Sequence, residues 1–95
     1  MGRYRTSKGE RLIESDRGTT WAQEGRRWKG VFRGVGCELE KRRASPGDTP
    51  DTGWYLYTNG VHGGYFGEWC GRRVLEAVDE ADRLLRSTEL VPYEQ

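Results

Sequence analysis

The residues able to do chemistry in this chain are few and widely spaced. Cys37, His62 and Cys70 are the soft ligands and potential nucleophiles. A structural zinc site takes four ligands at close spacing, and here there is no Cys-x-x-Cys pair and a single histidine. Nothing near either cysteine or His62 supplies the local pattern of a nucleophile held by its base. Gly34 and Gly36 do not form a phosphate loop, because GxxxxGK[ST] and a following apolar helix are both missing. No carboxylate pair stands apart from the many solvated ones. The expectation is a non-enzymatic chain with no cofactor and no metal.

A second kind of chemistry is better represented. Basic and aromatic residues interleave in RRWKGVFR (26–33), then EKRR (40–43), then WYLY (54–57). Arginine and lysine neutralise phosphates, and flat rings stack on bases or pack beneath basic stems. The same residue types anchor protein interfaces. Alternation within the second run puts Trp28 and Phe32 on one strand face, with Arg27, Lys29, Val31 and Arg33 on the other. The charge is also unevenly placed. Residues 1–43 hold twelve cations against six carboxylates, and residues 44–95 hold four against nine. Such a division orients a molecule toward a polyanion or an oppositely charged protein.

These residues need elements to position them. Ninety-five residues, 34% hydrophobic and 33% charged, allow one domain (1–95) with a small core. Four Trp and five Tyr supply core area that aliphatic side chains do not. No apolar run is long enough to cross a bilayer, and MGRYRTSKGER lacks the apolar stretch of a signal peptide. A cytoplasmic location with reduced cysteines is expected.

Residues 1–8 are polar and basic and predict disorder. Arg11–Glu14, Thr19–Gln23, Arg26–Arg33 and Cys37–Lys41 read as strands. ASPGDTPDTG (44–53) reads as a long loop. Asn59-Gly60 predicts a two-residue hairpin turn, with Tyr57 opposite His62 and Trp54 opposite Tyr65. One hairpin face then holds Trp54, Leu56, Val61 and Tyr65 as core. The other holds Tyr55, Tyr57, His62 and Phe66 as an exposed aromatic patch. Residues 72–87 predict a helix, with Val74, Val78, Ala81 and Leu85 on its apolar stripe.

The segment from Phe32 to Leu85 resembles the AP2 type of DNA-binding domain and the related arm-binding domains of phage integrases. The resemblance lies in FRGV (32–35), WYLY (54–57), GGYFG (63–67) and EAVDEADRLL (76–85). It implies three antiparallel strands against one helix, with the sheet reading DNA through Arg33, Lys41, Arg42, Arg43, Trp54 and Tyr57. The chain departs from that pattern in its long 44–53 loop, in an aromatic strand that has no Arg, and in the EWCGRR segment before the helix. The combined expectation is an α+β fold, an antiparallel sheet of three to five strands with one C-terminal helix packed on one face. Its expected role is a small binding module for DNA, or else for a protein target in the manner of a phage-type inhibitor or adaptor. The candidate contacts are Arg27, Lys29, Arg33, Lys41, Arg42, Arg43, Trp54, Tyr55, Tyr57, His62 and Phe66.

Overall fold

Short turns that demand left-handed backbone set the first half of the chain. The structure, a computed structural model, describes residues 1–93. Strand β1 (Arg3–Ser7) pairs with β2 (Glu10–Glu14) across Lys8 and Gly9, whose φ values are 52° and 79°. Two consecutive positive φ values belong to the type I′ turn, whose twist suits antiparallel strands. Residues 3–7 are therefore an edge strand, not the disordered lead that their polarity predicts. Strand β3 (Thr20–Glu24) turns at Gly25-Arg26 into β4 (Arg27–Phe32). Arg33 and Gly34, with φ of 50° and 80°, turn β4 into β5 (Val35–Arg42).

After the 43–52 loop come β6 (Gly53–Thr58), β7 (Val61–His62) and β8 (Phe66–Gly71). Helix α1 (Val74–Arg86) and β9 (Val91–Pro92) follow. The main sheet is antiparallel, with seven strands in the order β1-β2-β3-β4-β5-β6-β8. The fold is thus α+β with a C-terminal helix on the sheet, as the sequence implies. The sheet exceeds three to five strands because β1 joins one edge and β8 extends the other.

The expected Asn59-Gly60 hairpin does not form. Tyr57 lies opposite Phe66 rather than His62, and Trp54 lies opposite Gly71 rather than Tyr65. Thr58 closes the loop instead, its N–H donating to the Tyr65 carbonyl at 2.9 Å and its hydroxyl accepting from the Tyr65 N–H at 2.9 Å. Gly64 permits this approach, since a Cβ there would sit 1.9 Å from Thr58 Oγ1. The Tyr65 hydroxyl bonds the Leu84 carbonyl and Thr88, anchoring the loop to the end of α1. Residues 61–62 are left to pair with β9 in a separate two-stranded sheet.

The register sorts the main sheet into two faces. Ile13, Trp21, Gly30 and Cys37 form one cross-strand row, and Gln23, Trp28, Leu39 and Leu56 form the next. This inner face meets α1, whose buried Ala77, Val78, Ala81 and Leu85 complete the core, with Trp54, Tyr65 and Val74 packed against it. Gly30 is needed under the Trp21 indole, because a Cβ there would meet the ring at 3.1 Å.

The sheet also curls. Helix α1 touches β2 on one side and both β6 and β8 on the other. Strands β1 and β4 would lie about 14 Å apart in a flat sheet. The Tyr4 and Trp28 rings they carry are 6.3 Å apart between centroids.

A carboxylate locks the helix in place. Asp82 is fully buried and accepts from Ser15 Oγ at 2.9 Å and from Thr19 Oγ1 at 2.9 Å, with Arg86 Nε at 3.4 Å. Removing it strands two hydroxyl donors and a guanidinium. We expect Asp82→Ala to destabilise the fold by about 3 kcal/mol, read from urea denaturation. Leu85→Ala, at a fully buried site, is expected to cost about 2–5 kcal/mol. An unchanged midpoint for either variant would contradict this packing.

Candidate functional site

The two sheet faces differ in charge as well as in burial. Glu10, Glu14, Glu24, Glu38 and Glu40 all fall on the outer face by alternation and register. There Glu14, Glu24, Glu38 and Glu40 meet cations. Arg5 Nη1 lies 2.8 Å from Glu14, and Lys29 Nζ lies 3.1 Å from Glu24 and 3.5 Å from Glu38. Arg27 reaches Glu38 and Glu40 at 3.7 Å each. The Lys29 ammonium is held above its ordinary pKa, first by its hydrogen bond to Glu24. Arg27 and Lys29, expected to form a basic strand face, therefore sit in a charge-balanced lattice. Arg33 leaves that face altogether, because β4 stops at Phe32 and Arg33 occupies the turn. Its guanidinium lies 5.0 Å from the Phe32 ring centroid, and Arg86 lies 5.5 Å from the same ring.

The inner face is different at the end away from α1's carboxyl terminus. Lys41 and Trp54 are cross-strand partners there. With Gln23, Gly25, Arg26, Arg42 and Arg43 they line a groove of about 500 Å³. Trp54 is half-buried, and Arg26, Lys41 and Arg43 are exposed. Arg11 lies one position past the Leu12–Ala22 pair, on the face and at the end that Gln23 shares. Its guanidinium sits 5.2 Å from the centroid of the half-exposed Tyr4 ring. Among the described residues Arg11, Arg26, Lys41 and Arg43 make no ion pair. Three of these uncompensated cations, Arg26, Lys41 and Arg43, line the groove with Trp54, and Arg11 and Tyr4 lie on the same sheet face outside its lining.

The remaining candidates do not join it, apart from Arg42 at the rim. Arg42 points to the outer side, donating to the Tyr57 hydroxyl at 3.2 Å and pairing with Asp48 at 3.1 Å. Tyr57 and Phe66 pack edge to face with centroids 5.6 Å apart, and Phe66 is 94% exposed. Tyr55, expected in that patch, is buried, because the 43–52 loop covers it and its hydroxyl donates to the Asp51 carbonyl. His62 is carried away by β7 and packs against Tyr93 at 4.5 Å between centroids. Sequence reasoning overlooked Tyr4, Arg11, Gln23 and Arg26. The pointer was available: RYRTS and ERLIE are separated by two residues, the spacing of a tight hairpin.

Cys37 and Cys70 are buried and unpaired. Desolvation raises the Cys37 thiol to about 11 and the Cys70 thiol to about 12. No family model, curated protein or solved structure matches the chain.

A buried thiol with so high a pKa is a poor nucleophile, since the thiolate is the reactive form. At pH 8 the native protein is expected to react with iodoacetamide at least about 100-fold more slowly than the urea-unfolded chain. Mass spectrometry of the alkylated protein over time reads this out. Rapid native labelling of either cysteine would overturn the assignment of both to the core.

Proposed function

We propose that this protein is a small non-enzymatic module that binds DNA through the basic, aromatic end of its inner sheet face. One observation carries the reading: strands β2 to β5 send their carboxylates to the outer face and leave Arg26, Lys41 and Arg43 uncompensated in the groove beside Trp54, with Arg11 beside Tyr4 on the same face. Cations already paired with carboxylates gain little from a phosphate, whereas unpaired ones release the counterions of the phosphates they neutralise. The basic first half of the chain steers a polyanion toward this end. A cytoplasmic setting suits two cysteines that stay reduced in the core.

A second reading rests on a different surface. Phe66, Tyr57 and the 41% exposed Trp69 lie beside one another on the outer face. Large exposed rings of this kind are interface anchors, and they favour a protein target.

Fluorescence anisotropy with labelled DNA at two salt concentrations separates the two. DNA binding is expected at low salt, weakening steeply as salt rises. Lys41→Glu with Arg43→Glu is expected to weaken binding to every DNA sequence and to flatten the salt slope by about two. Phe66→Ala is expected to leave it unchanged. Loss of DNA binding in Phe66→Ala, with Lys41→Glu/Arg43→Glu still binding, would place the site on the outer face. No binding at low salt would remove DNA and leave the protein-target reading.

A further inference from the structure

We infer that the strand this site takes is single-stranded DNA, with unpaired bases seated on Tyr4 and Trp54. The inference rests on the DNA-binding reading and goes beyond it in naming the form of the nucleic acid. Shape is the first ground. The major groove of duplex DNA is about 12 Å wide and takes a protruding helix or ribbon. Arg26, Lys41 and Arg43 line a recess here. The sheet curls until the Tyr4 and Trp28 rings, carried on strands three steps apart in the sheet, come within 6.3 Å of each other. A recess of this kind cannot enter a groove, and a duplex base reaches it only by unstacking and unpairing, at a free-energy cost that a single strand does not bear in full.

Residue chemistry is the second ground. A duplex offers phosphates and base edges, and a module that reads it needs no accessible ring faces. This surface keeps two rings partly exposed. Tyr4 is half-exposed, with Arg11 on its ring at 5.2 Å, and Trp54 stands in the wall of the groove between cations. Aromatic platforms flanked by a cationic track are how single strands are held without regard to sequence, because every base has a flat face. The groove of about 500 Å³ admits a single nucleotide unit, with Arg26, Lys41 and Arg43 at the phosphates on either side. Gln23, which shares the groove, offers a donor and an acceptor to a base edge.

The experiment compares one labelled oligonucleotide of about 15 nucleotides, of mixed sequence, with its duplex, by anisotropy at low salt. The single strand is expected to bind at least about tenfold more tightly. Tyr4→Ala is expected to weaken single-strand binding about five- to tenfold and to leave duplex binding unchanged. Trp54→Leu, which keeps an apolar group against the core, is expected to act in the same direction. Circular dichroism confirms that each variant is folded. The variant at Tyr4, on an exposed edge strand, keeps the test open should Trp54→Leu unfold the domain. Duplex binding equal to or tighter than single-strand binding would overturn the inference while leaving the DNA reading intact. So would equal losses for both DNA forms in Tyr4→Ala. Absence of binding to either form would overturn both together.

Discussion

One helix of 13 residues has to cover the apolar face of a seven-stranded sheet, and it is too small to do so flat. Such a helix is about 20 Å long, while seven strands side by side span about 29 Å. The sheet resolves the mismatch by curling, so that β2 and β8 flank the same helix from opposite sides. The inner face then becomes a cup. Trp21, Trp28, Leu39 and Leu56 fill its floor, and the aromatic volume makes up for a low aliphatic content. The helix stops the cup toward the end marked by Phe32 and Tyr65. At the opposite end the floor is only partly covered, with Trp54 half-buried in the wall of the groove.

That open end explains the distribution of charge. A strand face turned to solvent tolerates both signs, and the outer face uses alternating Glu, Arg and Lys to stay soluble. At the mouth of the cup the same alternation leaves Arg11 and Lys41 on the inner side with no acidic neighbour in the ladder. Arg26 and Arg43 then arrive from the ends of adjoining strands. Long basic side chains can lay their stems over the edge of a core while holding the charge in water, so the mouth is a place where cations are stable and carboxylates are not required. The same geometry keeps Tyr4 and Trp54 partly open, because the core beneath them is already filled.

The two edges of the sheet are protected in different ways. Strand β1 is short and exposed along its whole length, and it carries Arg3 and Arg5. Strand β8 carries two register irregularities against β6 and a left-handed Gly67. Charges and bulges of this sort discourage pairing with another chain. The exposed Phe66 and Trp69 therefore sit on an edge whose backbone is a poor template, and any partner there would be recognised by side chains.

Much of the local structure was legible in the sequence. The period of Val74, Val78, Ala81 and Leu85 marks the helix, and the alternation in Trp28–Phe32 and Cys37–Leu39 marks two core strands, because burial on one face imposes period 3.6 or period 2 on whatever residues are present. The loop at 44–53 follows from its prolines and glycines. The sequence alone could not decide which neighbours those strands would find. Asn59-Gly60 has the chemistry of a hairpin turn, yet Gly64 lets Thr58 close on Tyr65, and the Tyr65 hydroxyl's bonds to the end of α1 favour that longer loop. Tyr57 thereby trades His62 for Phe66, and Tyr55 goes under a loop. Residues 1–8 read as disordered because their hydrophobicity is low, but their value lies in a ladder with β2 that no single-strand pattern displays. The candidate site is the clearest case. Arg11, Arg26, Lys41 and Trp54 are scattered over three strands and a turn, and only the curl and register of the sheet bring them to one face.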